Sequence, residues 1–222
     1  INHYYGVNPP FIGVATFDAV DNTGKIYDLA SPGNVFYADK LTSRPINLNY
    51  PLDQTIFLSF YYQSQGLGDN PETQDSLLLE FYAPIQDTWN TVWRKEGSDL
   101  TDFVQVMVQI NSDKYLHDGF RFRFRNKSSL TADNNTSRIM NCDHWQIDYI
   151  YLNRNRNIND TVHRDFAFYR PMSSLLKNYE AIPWKHFLTN PQAQLKTNIT
   201  SYFRNNDNVT RLIDSIYFVF YD

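Results

Sequence analysis

Hydrophobic and polar side chains alternate along much of the chain between about residues 12 and 153. The most regular stretch spans residues 119–126, where Phe120, Phe122 and Phe124 point one way and the three intervening arginines point the other. A repeat of two is typical of a strand with one buried face. This stretch is therefore predicted to be a core strand with an arginine-rich outer face.

A second strand is predicted over residues 143–152, which are rich in aromatic and β-branched side chains and contain no Gly or Pro. Strict alternation places Tyr149 and Tyr151 on the same buried face as Trp145 and Ile147. The other face begins polar and ends apolar. It includes Asp148, whose carboxylate in mid-strand requires a cation, a pair of donors or a metal.

Further strands are predicted at regular intervals, separated by turn residues and without a convincing amphipathic helix. They cover residues 13–17, 41–48, 55–63, 75–82, 89–94 and 103–110. The fold class expected is all-β, an antiparallel jelly-roll β-sandwich over residues 12–153. Its predicted core contains Phe60, Val106, Phe122, Phe124, Trp145 and Ile147.

The pattern changes after Leu152, where Asn and Arg alternate up to Asn159. We therefore divide the chain into a sandwich domain over residues 1–157 and a linker with the start of a second, Ig-like β domain over residues 158–222. Two strands are expected in the second part, at residues 194–203 and 211–221. The apolar end of the latter needs a covering sheet, either from the first domain or from further chain.

The composition argues against several kinds of partner and binding site. The formal net charge is −4 and no basic run occurs, which argues against a nucleic-acid partner. Cys142 is the one cysteine, so an intrachain disulfide and a Cys-rich zinc site are both excluded. No apolar stretch is long enough for a transmembrane segment. With 16 Tyr and 16 Phe, the composition suits a secreted bacterial β protein.

The strand series resembles a known family. The segments are Phe57 to Gln63, Asp75 to Phe81, Trp89 to Trp93, Gly119 to Phe124 and Trp145 to Ile150. Together they resemble MAM-like and laminin-G-like domains of the concanavalin A-like jelly rolls, and are most similar to large Bacteroidota surface proteins exported by type IX secretion.

The resemblance implies a non-catalytic module at the bacterial outer-membrane surface that binds a glycan or a partner protein in adhesion. It also implies that the module belongs to a larger surface protein or complex, with gliding or secretion machinery as a possible setting. A structural spacer is an alternative.

A structural calcium ion is expected because related sandwiches often carry one between the first and last strands. Asp18 and Asp148 occupy those strands here, and Asp39 lies near the following one. Calcium prefers several oxygen ligands, which carboxylates and backbone carbonyls supply. The alternative is that Asp148 pairs with an arginine, Arg121 or Arg154. The acidic loop of Asp69, Glu72 and Asp75 is a second candidate, with a solvated turn as its alternative.

A binding face is predicted from the strand positions that alternate with the core. Amides, guanidinium groups and a ring on one sheet face are suited to glycan hydroxyl groups. The alternative is an ordinary solvated face with cross-strand pairs. The residues predicted to bind a ligand are Tyr61, Gln63, Gln105, Gln109, Arg121, Arg123 and Gln146.

Catalysis is not expected. Sandwich glycoside hydrolases, the alternative reading, need two carboxylates that flank one glycosidic bond. The nearest pair, Asp75 and Glu80, has an odd spacing, which puts the two on opposite faces of a strand. Cys142 and His144 share a strand parity, but no third residue is evident to orient them.

Overall fold

The chain divides into two units in a computed structural model that describes residues 1–28, 34–52, 54–130 and 143–216. The first unit is Ile1–Thr161 and the second is Val162–Asp222. The sequence-based boundary was placed after residue 157.

The first unit is a sandwich of two four-stranded antiparallel sheets. Sheet A has the order β1 (Ala15–Phe17), β8 (Trp145–Asn153), β3 (Ile56–Ser64) and β6 (Val104–Ile110). Sheet B has the order β2 (Phe36–Thr42), β7 (Arg121–Ser128), β4 (Ser76–Ala83) and β5 (Thr88–Glu96). In the described part of this unit the helical structure is one 3₁₀ turn, Asp113–Tyr115. The predicted all-β antiparallel sandwich is confirmed.

The core lies between the two sheets and contains the predicted residues. Phe60, Phe124, Trp145 and Ile147 are fully buried in one hydrophobic cluster. Partly buried side chains pack against it, including the predicted Val106 and Phe122. The rings of Phe60 and Phe124 meet edge to face with their centroids 4.7 Å apart, which joins β3 of sheet A to β7 of sheet B.

A β-bulge interrupts β8 and changes which side chains face the core. Ser59 pairs with Tyr151 and Tyr61 pairs with Asp148, so Phe60 faces two residues instead of one. The first of these two, Tyr149, has φ +45°. As a result Ile150 and Leu152 pack against the core. The prediction that Tyr149 and Tyr151 share the buried face of Trp145 is wrong, because the extra residue reverses the alternation.

The second strand begins earlier than predicted. A strand was expected over residues 41–48, whereas β2 ends at Thr42 and pairs with β7. Beyond it, Ile46 makes one isolated bridge to Phe120. Pro45 lacks the amide hydrogen that a continuing ladder would need, which accounts for the early end. β2 lies at an edge of sheet B, as expected for a strand that is followed closely by a proline.

The second unit contains a two-stranded antiparallel sheet, β9 (Phe166–Arg170) with β10 (Tyr202–Asn205). Two short helices precede β10, α1 (Trp184–Thr189) and α2 (Pro191–Gln194). The strand predicted over 194–203 therefore overlaps α2 and only the start of β10. Of the strand predicted over 211–221, residues 211–216 are not in a strand and the remainder lie outside the described residues. Neither α1 nor α2 is long and apolar enough to cross a membrane.

Candidate metal centre and binding faces

Three carboxylates meet near the beginnings of β4 and β8. Glu72 and Asp75 belong to the connection between β3 and β4, and Asp143 precedes β8. One oxygen of each lies within 4.8 Å of the others. Asp75 and Asp143 are almost completely buried, with 0% and 2% of their surface exposed. We call Glu72, Asp75 and Asp143 the acidic group.

Backbone hydrogen bonds hold the acidic group in place. The Asp75 carboxylate accepts from the Glu72 amide at 2.9 Å, and the Asp143 carboxylate accepts from the Ser129 amide at 3.1 Å. Gly97 supports the same turn, since its amide donates to the Asp75 carbonyl at 3.0 Å. A Cβ at position 97 would lie 1.8 Å from the Glu72 carbonyl oxygen, so only glycine allows this close approach.

Burial and mutual repulsion make the acidic group electrostatically unfavourable when it is fully ionised. Burial, and secondarily the neighbouring Glu72, raises the pKa of Asp75 to about 7. Burial raises the pKa of Asp143 to about 9, with further contributions from the charges of Asp75 and Glu72. Carboxylates this close together ionise simultaneously only when a cation lies among them.

The composition of the acidic group fits a hard divalent cation. Oxygen ligands without His or Cys are what calcium and magnesium take. Among the described residues, no donor lies in hydrogen-bonding geometry to the buried Oδ1 of Asp75. The Ser129 side chain is near Asp75 and partly offsets the rise in its pKa. An acceptor left without a donor in a buried acidic group is what a bound cation would satisfy. The acidic group can therefore hold a metal ion.

Of the three residues predicted to bind calcium, the structure brings Asp18 and Asp39 together but separates Asp148 from Asp18, so the three do not form one group. Asp39 accepts hydrogen bonds from the amides of Asp18 and Ala19, at 3.0 and 2.8 Å. Phe17 pairs with Trp145, so Asp148 lies about four residues, roughly 13 Å, along β8 from the position opposite Asp18.

Asp148 is satisfied by a pair of donors, which was one of the three partners considered for it. Its carboxylate accepts from the Phe11 amide at 3.0 Å and from the Tyr149 amide at 2.7 Å. Burial still raises the pKa of Asp148 to about 6, because these two bonds offset the loss of water only in part. The predicted salt bridge to Arg121 or Arg154 is not among the ion pairs of the described residues.

The second predicted metal candidate, the loop of Asp69, Glu72 and Asp75, is closer to the observed geometry. Glu72 and Asp75 belong to the acidic group, but its third member is Asp143. Asp143 was missed because it is remote in sequence and arrives through the pairing of β8 with β3, in which Trp145 lies opposite Ser64. Asp69 contributes its backbone, through a bridge to Asp143. Knowledge of that strand register would have revealed the third carboxylate.

The residues predicted to bind a ligand lie on two different sheets. Gln63 and Gln146, in sheet A, are fully buried and bind the chain itself. The Gln63 side chain accepts from the Val7 amide at 2.8 Å and donates to the carbonyls of Val7 and Thr101, each at 2.9 Å. Gln146 accepts from the Thr16 hydroxyl at 2.7 Å. These two amides are therefore structural, which corrects their predicted role in ligand binding.

Segments at both ends of the sandwich unit are fastened to the outer face of sheet A. The N-terminal arm, residues 1–12, is held by Gln63 and by Phe11, whose ring stacks on Tyr149 at 4.2 Å. After β8, the buried Arg156 donates to the Ser59 hydroxyl at 2.9 Å and to the Tyr151 carbonyl at 3.0 Å. The predicted ligand residues also on this sheet are Tyr61 and Gln105, which are half-buried, and Gln109, which is exposed.

The predicted Arg121 and Arg123 lie on sheet B, and each stacks on an aromatic ring. The guanidinium carbon of Arg121 is 4.7 Å from the ring centroid of Tyr82, and that of Arg123 is 4.2 Å from that of Trp89. The next arginine on β7, Arg125, stacks on Tyr37 at 3.6 Å. The alternation in the sequence therefore correctly predicted that the arginines lie on an outer face. It did not predict which sheet carries that face.

The register of sheet B assembles these side chains into one surface, which we call the basic face. Strand pairing aligns six cations and two carboxylates there, which leaves a local excess of about four positive charges. The cations are Lys40, Arg94, Arg121, Arg123, Arg125 and Lys127, and the carboxylates are Glu80 and Glu96. Glu80 is buried beneath this layer, bonded to Arg123 Nε at 2.5 Å.

The residues considered for catalysis are also placed apart. Asp75 belongs to the acidic group, whereas Glu80 lies on the outer face of sheet B in an ion pair with Arg123. Cys142 lies outside the described residues. His144 accepts a hydrogen bond from the Asp69 amide at 3.2 Å through Nδ1, and its ring stacks on Tyr5 at 5.1 Å.

Comparison with known proteins shows a distant similarity to solved structures. No family model matches the chain, and no curated protein matches it. Among solved structures, Xylanase10C from Cellvibrio japonicus in complex with xylopentaose is similar over 74% of this chain and 30% of its own, with 11% sequence identity and a TM-score of 0.33. This chain thus spans less than a third of that structure. At that TM-score the likeness carries no argument about function.

Proposed function

We propose that this chain is a non-catalytic, extracellular binding module that uses the basic face to hold a glycan. The observation that carries the proposal is the row of guanidinium groups stacked on Tyr82, Trp89 and Tyr37. Stacking fixes the orientation of these planar donors before a ligand arrives, which reduces the entropy lost on binding. The edges of these guanidinium groups supply hydrogen-bond donors for the oxygen atoms of sugars.

The placement of the carboxylates supports a non-catalytic role. Glycoside hydrolysis requires one carboxyl group to protonate the glycosidic oxygen and a second to act on the sugar. On the basic face, Glu80 is tied to Arg123 and lies 3.9 Å from Arg125. Glu80 is only 6% exposed, so its carboxylate lies beneath the arginines and not against a bound sugar.

We also propose that the cation of the acidic group is calcium with a structural role. It would tie the connection that carries Glu72 and Asp75 to the beginning of β8 at Asp143. Magnesium demands a stricter octahedral geometry and retains several waters, so buried protein oxygens favour calcium. Calcium sites of extracellular modules are effective at affinities of about 10⁻⁴ to 10⁻³ M. The cell surface, where we propose that this protein acts, is an extracellular setting of that kind.

The proposal is tested by affinity electrophoresis of the full chain through gels that contain soluble polysaccharides. We expect retardation by at least one polysaccharide, and its loss in Arg121→Gln/Arg125→Gln. Gln109→Ala, an exposed change on sheet A, serves as the control and should keep wild-type retardation. Thermal unfolding of each variant checks that it is folded. Unretarded migration of the wild type in all gels, or equal retardation of the double variant, would refute the proposed function.

A further inference from the structure

We infer that the ligand of the basic face is an anionic polysaccharide, one that carries carboxylate or sulfate groups along its chain. This inference rests on the proposed function and specifies its ligand class. It starts from the geometry of β7, the strand that contributes most of the cations. Arg121, Arg123, Arg125 and Lys127 occupy alternate positions of that strand and so share one side. Their spacing is about 6.8 Å, so the row extends over about 20 Å.

A row of this length suits a polymer with repeated charges better than a single small anion. A small carboxylate or sulfate would contact one or two guanidinium groups and leave the others unsatisfied. A polymer that follows β7 would meet several cations in succession, and each contact would add to the others because they share one chain. The strand direction thus defines the path of the ligand.

Each of the three rings on this face has a guanidinium group stacked over it, and this arrangement favours anionic over neutral sugars. Arg125 lies 3.6 Å from the Tyr37 centroid and Arg123 lies 4.2 Å from the Trp89 centroid. A neutral sugar that stacks on an aromatic ring would have to displace these cations. A carboxylate or sulfate instead accepts hydrogen bonds from the edges of the guanidinium groups, without disturbing the stacks.

The hydrogen-bonding state of the arginines points the same way. Among the described residues, Arg121 has no carboxylate partner, so its charge is not neutralised within the protein. The ion pair between Arg123 and Glu80 uses Nε. Planar guanidinium groups bind carboxylate and sulfate oxygens in bidentate geometry, with stronger hydrogen bonds than neutral partners make.

Single-stranded nucleic acid is the competing polyanion, and the same stacks argue against it. Proteins that bind single strands stack the bases on open aromatic rings. On the basic face the rings of Tyr82, Trp89 and Tyr37 already hold arginines. The chain as a whole carries a net charge of −4, so a general attraction for polyanions is not expected.

Affinity electrophoresis of the full chain against four defined polymers tests the inference. The polymers are polygalacturonate, dextran sulfate, neutral dextran and single-stranded DNA. We expect retardation by polygalacturonate or dextran sulfate, weakened when NaCl is raised, because screening reduces contacts between charges. Arg121→Gln/Arg125→Gln should raise the dissociation constant by about tenfold or more. Lys25→Gln/Arg154→Gln removes the same net charge from exposed residues of the first unit that do not belong to the basic face, and should bind like the wild type.

Each other outcome has a defined meaning. Equal retardation by neutral and anionic glycans would overturn the inference and leave the proposed function in place. Retardation by DNA alone would overturn both. Equal loss in the two charge-matched double variants would show a general charge effect and overturn the assignment to the basic face.

Discussion

Calcium should stabilise the protein through the acidic group, and replacement of Asp143 by Asn should abolish that effect. The unfolded chain cannot bring Glu72, Asp75 and Asp143 together, so calcium binds the folded state alone. At a free concentration 100-fold above the dissociation constant, such a ligand contributes about 2.7 kcal/mol to the unfolding free energy. For a domain of this size, a shift in the unfolding midpoint of roughly 5–11 °C follows.

The variant has an opposite expected effect in the absence of the ion. The raised pKa of Asp143 means that the folded state loses stability as the pH rises toward that pKa, because the unfolded state ionises more readily. An amide keeps the acceptor for the Ser129 amide but carries no charge. With a chelator at pH 8, Asp143→Asn should therefore unfold at or above the wild-type temperature. With calcium in excess, the wild type should be the more stable of the two.

Differential scanning fluorimetry with calcium and with EGTA measures both effects. Asp148→Asn is the control, because Asp148 lies outside the acidic group and accepts from backbone amides instead. It should keep the full response to calcium. An unchanged midpoint in the wild type would remove the metal site, and loss of the response in Asp148→Asn alone would place the ion elsewhere.

Three further predictions concern the outer face of sheet A. The folded-state pKa of Asp148 is raised from 3.8 to about 6, so its contribution to stability should be lost as the pH rises through that interval, by on the order of 3 kcal/mol; urea unfolding between pH 4 and 7 should show a steeper loss of stability in the wild type than in Asp148→Asn, which keeps the contributions of Asp75 and Asp143. Gln63→Ala removes three hydrogen bonds to the amide and carbonyl of Val7 and the carbonyl of Thr101. It should cost about 1–3 kcal/mol and speed hydrogen exchange at Val7, and an unaltered exchange rate there would count against the assigned anchor. Arg156→Met should lower the urea midpoint by the equivalent of about 2–3 kcal/mol, since it removes the charged donor to the Ser59 hydroxyl and the Tyr151 carbonyl and leaves them only their 3.4 Å bond to each other; an unchanged midpoint would show that water replaces the guanidinium.

The sandwich itself could be predicted from the sequence because alternation is a local property. Hydrophobic residues two positions away indicate that Phe60, Phe124 and Ile147 lie on the buried faces of their strands. The bulge at Tyr149 could not be predicted with the same rule, since one inserted residue reverses the alternation. A sign of the bulge was nevertheless present in the sequence. On the face of β8 opposite Trp145 and Ile147, the residues change from polar at Asp148 to apolar at Ile150.

The candidate sites depended on long-range pairing that the sequence does not reveal. Alternation showed that Gln63 and Arg121 point outward, but not that they belong to different sheets. It also gave no sign that the N-terminal arm would cover Gln63. Likewise, Asp143 joins Glu72 and Asp75 only through the register of β8 against β3. Pairwise register is a property of the folded chain, and local patterns do not determine it.

The fastening of both flanking segments to sheet A has a mechanical consequence. Ala15 pairs with Ile147 and Phe17 with Trp145, so the start of β1 and the end of β8 lie on the same side of their ladder. Tension applied through the two flanks would therefore peel β1 from β8 one hydrogen bond at a time, which is the weak direction for a sheet. Such a load must first pull Val7 away from Gln63 and withdraw Arg156 from Ser59. The hydrogen bonds of Gln63 and Arg156 would therefore have to break before tension reaches the terminal strands. We expect these side-chain bonds, and not the hydrogen bonds between β1 and β8, to set the initial resistance of this unit to stretching.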